Sequence, residues 1–377
     1  MPHLSIIEAF GDLPDPRVDR TKRHKLSDIL VLTLCGAICG VDNWVEMERF
    51  GRSKQKWLQT FLELPNGIPS HDTLGRVFAA LDPDAFRQCF IAWVESLALV
   101  DVGDVIAIDG KSVRRSLDAA SGTAPLHMVN AWASEAGIAM GQLATEDKSN
   151  EITAIAALVE MLRVKGCIVT TDAMGCQKSI AKCIVDKEAD YTLQLKDNHP
   201  TARKEVADYF DSEIGDSLLK TEVTFTETTD GEHGRIEVRR YWLTTDIDWF
   251  EDAPQWEGLR GFGIVEAERT LGDAETSVHR RYYLTTLSHV SDFARSVRSH
   301  WQVENCLHWV LDMAFDEDHC RARTGNAAEN FAIVRQVALN LLKQEIREKV
   351  GIKTKRKMCG WDHDFLLHVL GLRGSPF

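Results

Sequence analysis

Residues 105–110 read VIAIDG, and residues 167–172 read CIVTTD. Each stretch is a short run that ends in an aspartate, which is typical of a buried β-strand that reaches a turn. Between them the sequence predicts a hairpin at 126–134 and 138–145 and a helix at 152–164, and after them a helix at 178–187 and a strand at 191–195. This order predicts a mixed α/β core with a central sheet between helices.

The segments around this core differ from it in character. Residues 1–100 have the apolar spacing of helices, whereas from about residue 201 the chain is more polar and then alternates with a period of two. The alternating stretches, at 221–228, 235–244, 263–270 and 278–285, predict a β-rich insertion. Two long helices, at about 292–315 and 327–350, and a short basic run follow. We therefore expect a helical N-terminal domain over 1–100, an α/β domain over 101–350 with its insertion at about 201–288, and a basic C-terminal tail over 351–377.

Composition limits the class of protein. The 377 residues are 44% hydrophobic, which is enough for two or three domains with real cores. The formal net charge of −13 argues against a uniformly basic nucleic-acid coat, but a local basic site remains compatible with it. Nine scattered cysteines fit reduced thiols better than a disulfide framework. The apolar, uncharged run at residues 29–41 is too short to span a bilayer. We expect a cytoplasmic protein without a membrane segment.

Three acidic residues stand where a pocket is expected. Asp109 and Asp172 end the two buried strands, and Glu304 lies within a predicted helix. Carboxylates just past strand ends project into the crevice where α/β proteins bind ligands. Such oxygen donors suit Mg²⁺ or Mn²⁺, and two ions about 3.5–4 Å apart can stabilise both oxygens of a phosphodiester displacement. Taken singly, each acid also fits a solvated turn, a helix cap or a helix surface, so both interpretations stay open at this level.

The local sequences around these acids form a recognisable set. They read IDGK at 108–111, TDAMGCQ at 171–177 and HWQVENCLHWVLD at 300–312. Together they resemble the DDE transposases of bacterial insertion sequences, in the branch that includes the H-repeat-associated proteins. The resemblance covers nearly the whole chain, since further matches read DPR at 15–17, RHKL at 23–26, GIPSHDT at 67–73, KSNEI at 148–152 and HGRIE at 233–237.

The resemblance implies an RNase H-like fold and metal-dependent cleavage and strand transfer of DNA. Asp109, Asp172 and Glu304 are then the catalytic residues and the ligands of two Mg²⁺ or Mn²⁺ ions. The implied partners are double-stranded DNA, both at the terminal inverted repeats and at the target, and a second copy of the chain in a homodimer on DNA. Bound to DNA, the protein would be nucleoid-associated. A transposase-derived DNA-binding protein that no longer cleaves, and a nuclease without strand transfer, remain alternatives.

Several basic and polar residues are candidates for DNA contacts. The N-terminal cluster has the charge to neutralise backbone phosphates, and its alternative interpretation is a solvated arm. Related branches carry Tyr, Arg and Lys around the helix glutamate, at positions held here by Val297, His300 and Leu311. This branch is therefore expected to use Arg298, His300, Asn305 and His308 for phosphate contacts there. The candidates are Arg17, Arg20, Arg23, Lys111, His233, Arg235, Arg298, His300 and Asn305.

Overall fold

In the computed structural model, residues 4–116, 125–145, 150–215, 223–232, 235–271 and 276–372 are described. A single sheet of nine strands runs through them in the order β3-β2-β1-β4-β5-β9-β8-β7-β6. The strands are β1 Val105–Val113, β2 Leu126–Ala133, β3 Ile138–Thr145, β4 Ile168–Thr171, β5 Asp190–Leu195, β6 Val223–Glu232, β7 Arg235–Thr244, β8 Gly261–Leu271 and β9 Ser277–Thr285.

The first five strands have the RNase H-like arrangement. Strands β1, β2 and β3 form an antiparallel meander, and β4 and β5 extend it in parallel to β1. Ile108 pairs with Thr171 at the end of the parallel ladder between β1 and β4. Asp109 and Asp172 occupy the next position on each chain and therefore lie side by side. The predicted α/β fold is confirmed, and so is the pairing of these two strands. The predicted strand end at Asp109 is wrong, since β1 continues to Val113 because its backbone stays paired with β2.

Helices cover the sheet and form the N-terminal region. They are α1 Ile6–Ala9, α2 Leu26–Ile38, α3 Trp44–Leu58, α4 His71–Ala80, α5 Pro83–Ser96, α6 Glu151–Met161, α7 Lys178–Asp186, α8 Pro200–Gly215, α9 Val290–His300, α10 Trp309–Phe315, α11 Ala327–Gln344, α12 Ile352–Trp361 and α13 His363–Val369. No helix in these described ranges is long and apolar enough to cross a bilayer.

Helix α11 joins the N-terminal helices to the sheet. It packs against α2, α4 and α5 on one side and against β3 on the other, and one hydrophobic cluster includes buried residues from both regions. Asn330 is fully buried on α11, and its Nδ2 donates to the carbonyl oxygens of Phe78 (2.8 Å) and Leu81 (3.0 Å). Arg87 of α5 pairs with Glu329 at 2.6 Å. The N-terminal helices are therefore fixed rigidly to the α/β core.

The insertion extends the central sheet instead of forming a separate one. All four of its predicted strands are present, and β9 pairs antiparallel with β5, which attaches them to the first five. The insertion begins with helix α8, which was not predicted from the sequence. Its buried residues include Val206 and Phe210, one turn apart in a mainly polar segment. Such a narrow apolar stripe is a weak sequence signal for a helix.

The basic C-terminal segment is not an extended tail in the part that the structure describes. It folds into α12 and α13, and Lys355 and Arg356 are buried there. The guanidinium of Arg356 lies 4.1 Å from the ring centroid of Phe315 and donates to the carbonyl oxygen of Ala37 (2.7 Å) and to Asp42 (3.3 Å). These contacts satisfy the charge inside the protein, which sequence alone did not indicate. Residues 373–377 lie outside the described ranges.

Candidate active site

An open cavity lies where β4 ends beside the middle of β1. Its lining includes Asp109 from within β1, Asp172 from just after β4, and Glu304 from the helical segment that crosses them. Side-chain ligand atoms of Asp109, Glu304 and His308 lie within 4.8 Å of one another. Among the described residues, Asp172 is not part of this 4.8 Å group, and its Oδ1 accepts from the backbone N–H of Met174 at 2.9 Å. The structure thus brings two of the predicted acids together directly and the third into the same cavity.

The acids of the cavity affect one another's protonation. The pKa of Asp109 is raised to about 6, chiefly by burial; His308 acts to lower it, and the neighbouring charge of Asp172 contributes to the rise. The pKa of Glu304 is lowered, chiefly by its hydrogen bond with His308. A buried carboxylate beside another carboxylate is stabilised by a cation. The donor chemistry of the cavity therefore fits a divalent metal ion.

The helical segment that carries Glu304 is irregular. Val303–His308 forms a π-helix between α9 and α10. Insertions of this kind occur frequently at functional sites because the wider turn changes the direction of its side chains. Here His308 Nδ1 lies 3.1 Å from Glu304 Oε2 and 3.7 Å from Asp109 Oδ2. His308 was expected from the sequence to contact a phosphate near Glu304, and the structure places its imidazole against the carboxylate of Glu304. The i, i+4 spacing of the two residues is the sequence signal for this pair.

A buried chain of amides orients the imidazole of His308. Gln336 Nε2 donates to Asn130 Oδ1 at 2.7 Å, so the amide NH₂ of Asn130 faces His308 Nε2 at 3.3 Å. In that arrangement Asn130 donates and His308 Nε2 accepts. The network therefore assigns the proton of a neutral His308 to Nδ1, which points at Glu304. His308 holds the glutamate carboxylate in position beside Asp109.

Comparisons with known proteins agree with this geometry. The family model described as "Transposase DDE domain" matches residues 101–341, and the model described as "DDE_Tnp_1-associated" matches residues 7–94. The chain belongs to the DDE transposase family. "Putative transposase YncI" of Escherichia coli O157:H7 is 38% identical over 375 residues, which cover 97% of this chain and 94% of YncI. "H repeat-associated putative transposase YhhI" of Escherichia coli K12 is 37% identical over 379 residues, which cover 99% of this chain and 98% of YhhI.

These matches confirm the membership of the DDE transposase family that the motifs predicted. A solved synaptic complex of piggyBac transposase with hairpin DNA aligns with 98% of this chain and 77% of its own chain, with a TM-score of 0.42 and 9% sequence identity.

Lys111 lies beside the DDE site but faces inward. Its Nζ lies 2.5 Å from Asp312 Oδ1 and 2.7 Å from Glu317 Oε2, and its side chain is only 10% exposed. Burial lowers the pKa of Lys111, but the charges of Glu317 and Asp312 outweigh burial and raise it overall. Lys111 was predicted to contact a phosphate; the structure instead gives its ammonium group two carboxylate partners. It ties β1 to the segment that follows the π-helix.

Two other residues of the DDE cavity differ in charge. His300 Nδ1 lies 3.0 Å from Thr170 Oγ1, and burial lowers the pKa of His300 to about 4, so its imidazole is neutral near pH 7. Lys196 lines the cavity, is exposed, and makes no ion pair within the described ranges. It was not among the predicted site residues. Among the cavity residues it is the lysine available to an anionic ligand.

The other candidates for DNA contacts lie in different parts of the chain. Arg298 pairs with Asp230 of β6 at 2.9 Å, which links α9 to the insertion. Asn305 is exposed on the π-helix. His233 lies outside the described residues, and Arg235 is the first residue of β7. The predicted DNA contacts of these four residues stay predictions.

The three N-terminal arginines are not equivalent. Arg17 is 11% exposed, pairs with Asp15 at 2.8 Å, and its Nη2 donates to the carbonyl oxygen of His24 at 2.8 Å. Arg20 and Arg23 are exposed and make no ion pair in the part of the chain that the structure describes. Arg17 therefore braces the loop, whereas Arg20 and Arg23 leave their charges available to a partner.

Proposed function

We propose that this protein is an active DDE transposase, which cleaves the ends of its element and transfers them to target DNA. Its catalytic residues are Asp109, Asp172 and Glu304. The observation that supports this most strongly is the meeting of Asp109 and Glu304, which are far apart in the sequence, in one open cavity that Asp172 also lines.

The cavity residues fit the divalent ions that the family implies. Asp109, Asp172 and Glu304 would hold two Mg²⁺ or Mn²⁺ ions. Asp109 lies between the other groups, since it interacts electrostatically with Asp172 and has ligand atoms within 4.8 Å of those of Glu304 and His308. When bound, such ions activate an attacking oxygen and stabilise the leaving oxygen of a phosphodiester. His308 keeps Glu304 oriented through its Nδ1–H. Orienting partners of this kind are part of how a protein tunes a metal site.

The same cavity supplies groups for the DNA backbone. Lys196 lies at its wall with an exposed ammonium group and would neutralise a phosphate next to the scissile bond. His300 is neutral there, so it would contribute a hydrogen bond and not a charge. Arg20 and Arg23 would grip the duplex farther from the reaction, where contacts position DNA without touching the reacting atoms.

The expected assembly is a homodimer on DNA. It follows from the chemistry of transposition, in which two element ends are brought together before they are joined to a target. The same reasoning makes double-stranded DNA at the terminal repeats and at the target the two substrates.

Substitution of Asp172 by Asn tests the proposal because it keeps the side chain's shape and removes a charged ligand. A labelled duplex carrying the element's end is incubated with Mg²⁺ or Mn²⁺ and a supercoiled target plasmid. We expect cleavage and joining by the unaltered protein, both lost in the variant, with binding of the duplex retained. Asp197→Asn is the matched control, since Asp197 is 89% exposed and pairs only with Arg203 in the described chain.

The outcomes separate the alternatives. Nicking without joining would indicate a nuclease that lacks strand transfer. Binding without nicking in either metal would indicate a transposase-derived DNA-binding protein. Cleavage by Asp172→Asn at the rate of the unaltered protein would show that Asp172 is not a catalytic metal ligand.

A further inference from the structure

Four exposed arginines that make no ion pair in the described chain line two cavities of this acidic protein. Many arginines are neutralised by carboxylates; Arg240, for example, contacts three and Arg280 two. By contrast, Arg20, Arg23 and two further exposed arginines, Arg76 and Arg321, make no ion pair within the described ranges. Unpaired arginines repel one another and raise the local potential, so a cluster of them favours an anionic ligand.

These four arginines line two adjoining cavities. The first, of about 650 Å³, is lined by Arg20, Arg23 and Arg76 among others. The second, of about 670 Å³, is lined by Arg76 and Arg321, together with the loop that follows α10. Because Arg76 belongs to both, the cavities form one continuous surface. We call it the arginine groove. It leads from the N-terminal loop to the C-terminal end of the helical segment that carries Glu304.

The groove is held by a rigid framework. Asp316 ends α10 in the left-handed conformation (φ 52°), which turns the chain away from the helix axis and toward α4. The loop is then fastened to the N-terminal region, since Asn326 N–H donates to the carbonyl oxygen of Ala79 (3.1 Å) and its Nδ2 to that of Leu81 (2.9 Å). These bonds hold the loop that carries Arg321 beside α4, which carries Arg76.

The acidic residues that line the groove make no ion pair with its arginines in the described chain. Three aspartates line the second cavity. Asp42 is paired with Arg356 (3.3 Å), Asp316 lies 2.6 Å from the imidazole of His319, and Asp72 lies 3.5 Å from that of His71. The guanidinium groups of the groove therefore have no carboxylate in direct contact.

We propose that the arginine groove binds the phosphate backbone of duplex DNA, and that Arg76 and Arg321 carry the duplex across the junction between the N-terminal helices and the DDE domain. Arginine suits phosphate because its planar fork of donors matches two phosphate oxygens at once. This inference rests on the proposed function, since it extends the duplex contact at Arg20 and Arg23 toward the DDE domain.

The test compares two double variants of the full-length protein that remove the same charge. Arg76→Gln/Arg321→Gln removes the middle of the groove, and Arg49→Gln/Arg260→Gln removes two exposed arginines that also lack ion pairs in the described chain but lie outside both cavities. Binding of a fluorescent random-sequence duplex is measured by anisotropy between 50 and 300 mM KCl. The slope of log K against log salt falls by about 0.9 for each phosphate that the protein no longer neutralises.

We expect the groove variant to lower the salt slope by about 2 and the control variant to leave it nearly unchanged, with equal melting temperatures for both. Equal decreases in the two variants would show that only net charge matters and would overturn the proposal. So would an unchanged slope in the groove variant. If the unaltered protein binds and cleaves duplex DNA and the groove variant has the same salt slope, the groove proposal is refuted and the proposed function stands. If the unaltered protein binds no duplex at all, the proposed function fails with it.

Discussion

Replacement of Lys111 by Met should destabilise the protein by about 3 kcal/mol. Removal of one partner from a buried ion pair generally costs about 3–5 kcal/mol, because the other charge is left without compensation. Here the remaining charge is Glu317, whose side chain is 4% exposed and which would keep only Arg335, at 3.9 Å. Asp312 is 31% exposed, so its carboxylate can be solvated by water after the substitution. Arg335 still stabilises the charge of Glu317 in part. The lower end of the range is therefore expected.

Urea denaturation followed by tryptophan fluorescence measures this decrease in stability. Lys196→Met is the matched control, since Lys196 is exposed and without an ion pair in the described chain, and we expect it to change stability by less than about 0.5 kcal/mol. The double variant Lys111→Met/Glu317→Gln should recover part of the stability, because it also removes the isolated charge. The two lysines should behave oppositely in DNA binding: only Lys196→Met should lower the salt slope, by about 0.9.

The opposite pattern would refute this reasoning. If Lys111→Met left the urea midpoint unchanged and lowered the salt slope by about one, Lys111 would bind a phosphate, as its position after Asp109 suggests in the sequence. The ion-pair cluster seen in the structure would then contribute little to stability.

The affinity for Mn²⁺ should fall about tenfold for each pH unit below about 6 and become constant above it. The reason is that protons compete with the metal for Asp109, whose pKa burial raises to about 6. A calorimetric affinity that is the same at pH 5 and pH 6 would contradict this. Gly110→Ala should cost about 1–3 kcal/mol, since its new Cβ would lie 2.7 Å from Glu151 Oε1 and 2.8 Å from His127 Nε2; an unchanged melting temperature would show that these side chains yield freely. Arg17→Gln should lower the melting temperature and leave the salt slope of DNA binding nearly unaltered, as expected for a brace and not a phosphate ligand; a lower slope at unchanged stability would reverse that assignment.

The sequence by itself determined the two central strands. Hydrophobic periodicity is a local property, so VIAIDG and CIVTTD identify buried strands. It placed the end of the second strand correctly, but β1 continues past Asp109 to Val113 because its backbone stays paired with β2. The parallel pairing of Ile108 with Thr171 then places Asp109 beside Asp172. The four insertion strands were predictable for the same reason. Helix α8 was not, because its apolar stripe is too narrow in a polar segment.

Only the tertiary structure decided what the charged residues do. Lys111 and Lys196 are both lysines close to a strand end, yet one is enclosed by Asp312 and Glu317 and the other faces the open cavity. Arg356 lies in a basic run that looks solvated in the sequence but is buried in the fold. Whether a charge is paired depends on residues far away in the sequence, and their arrival at one place depends on the packing of the sheet and of α11. Burial of apolar side chains leaves a periodic pattern in a sequence, whereas pairing of charges across the fold leaves none.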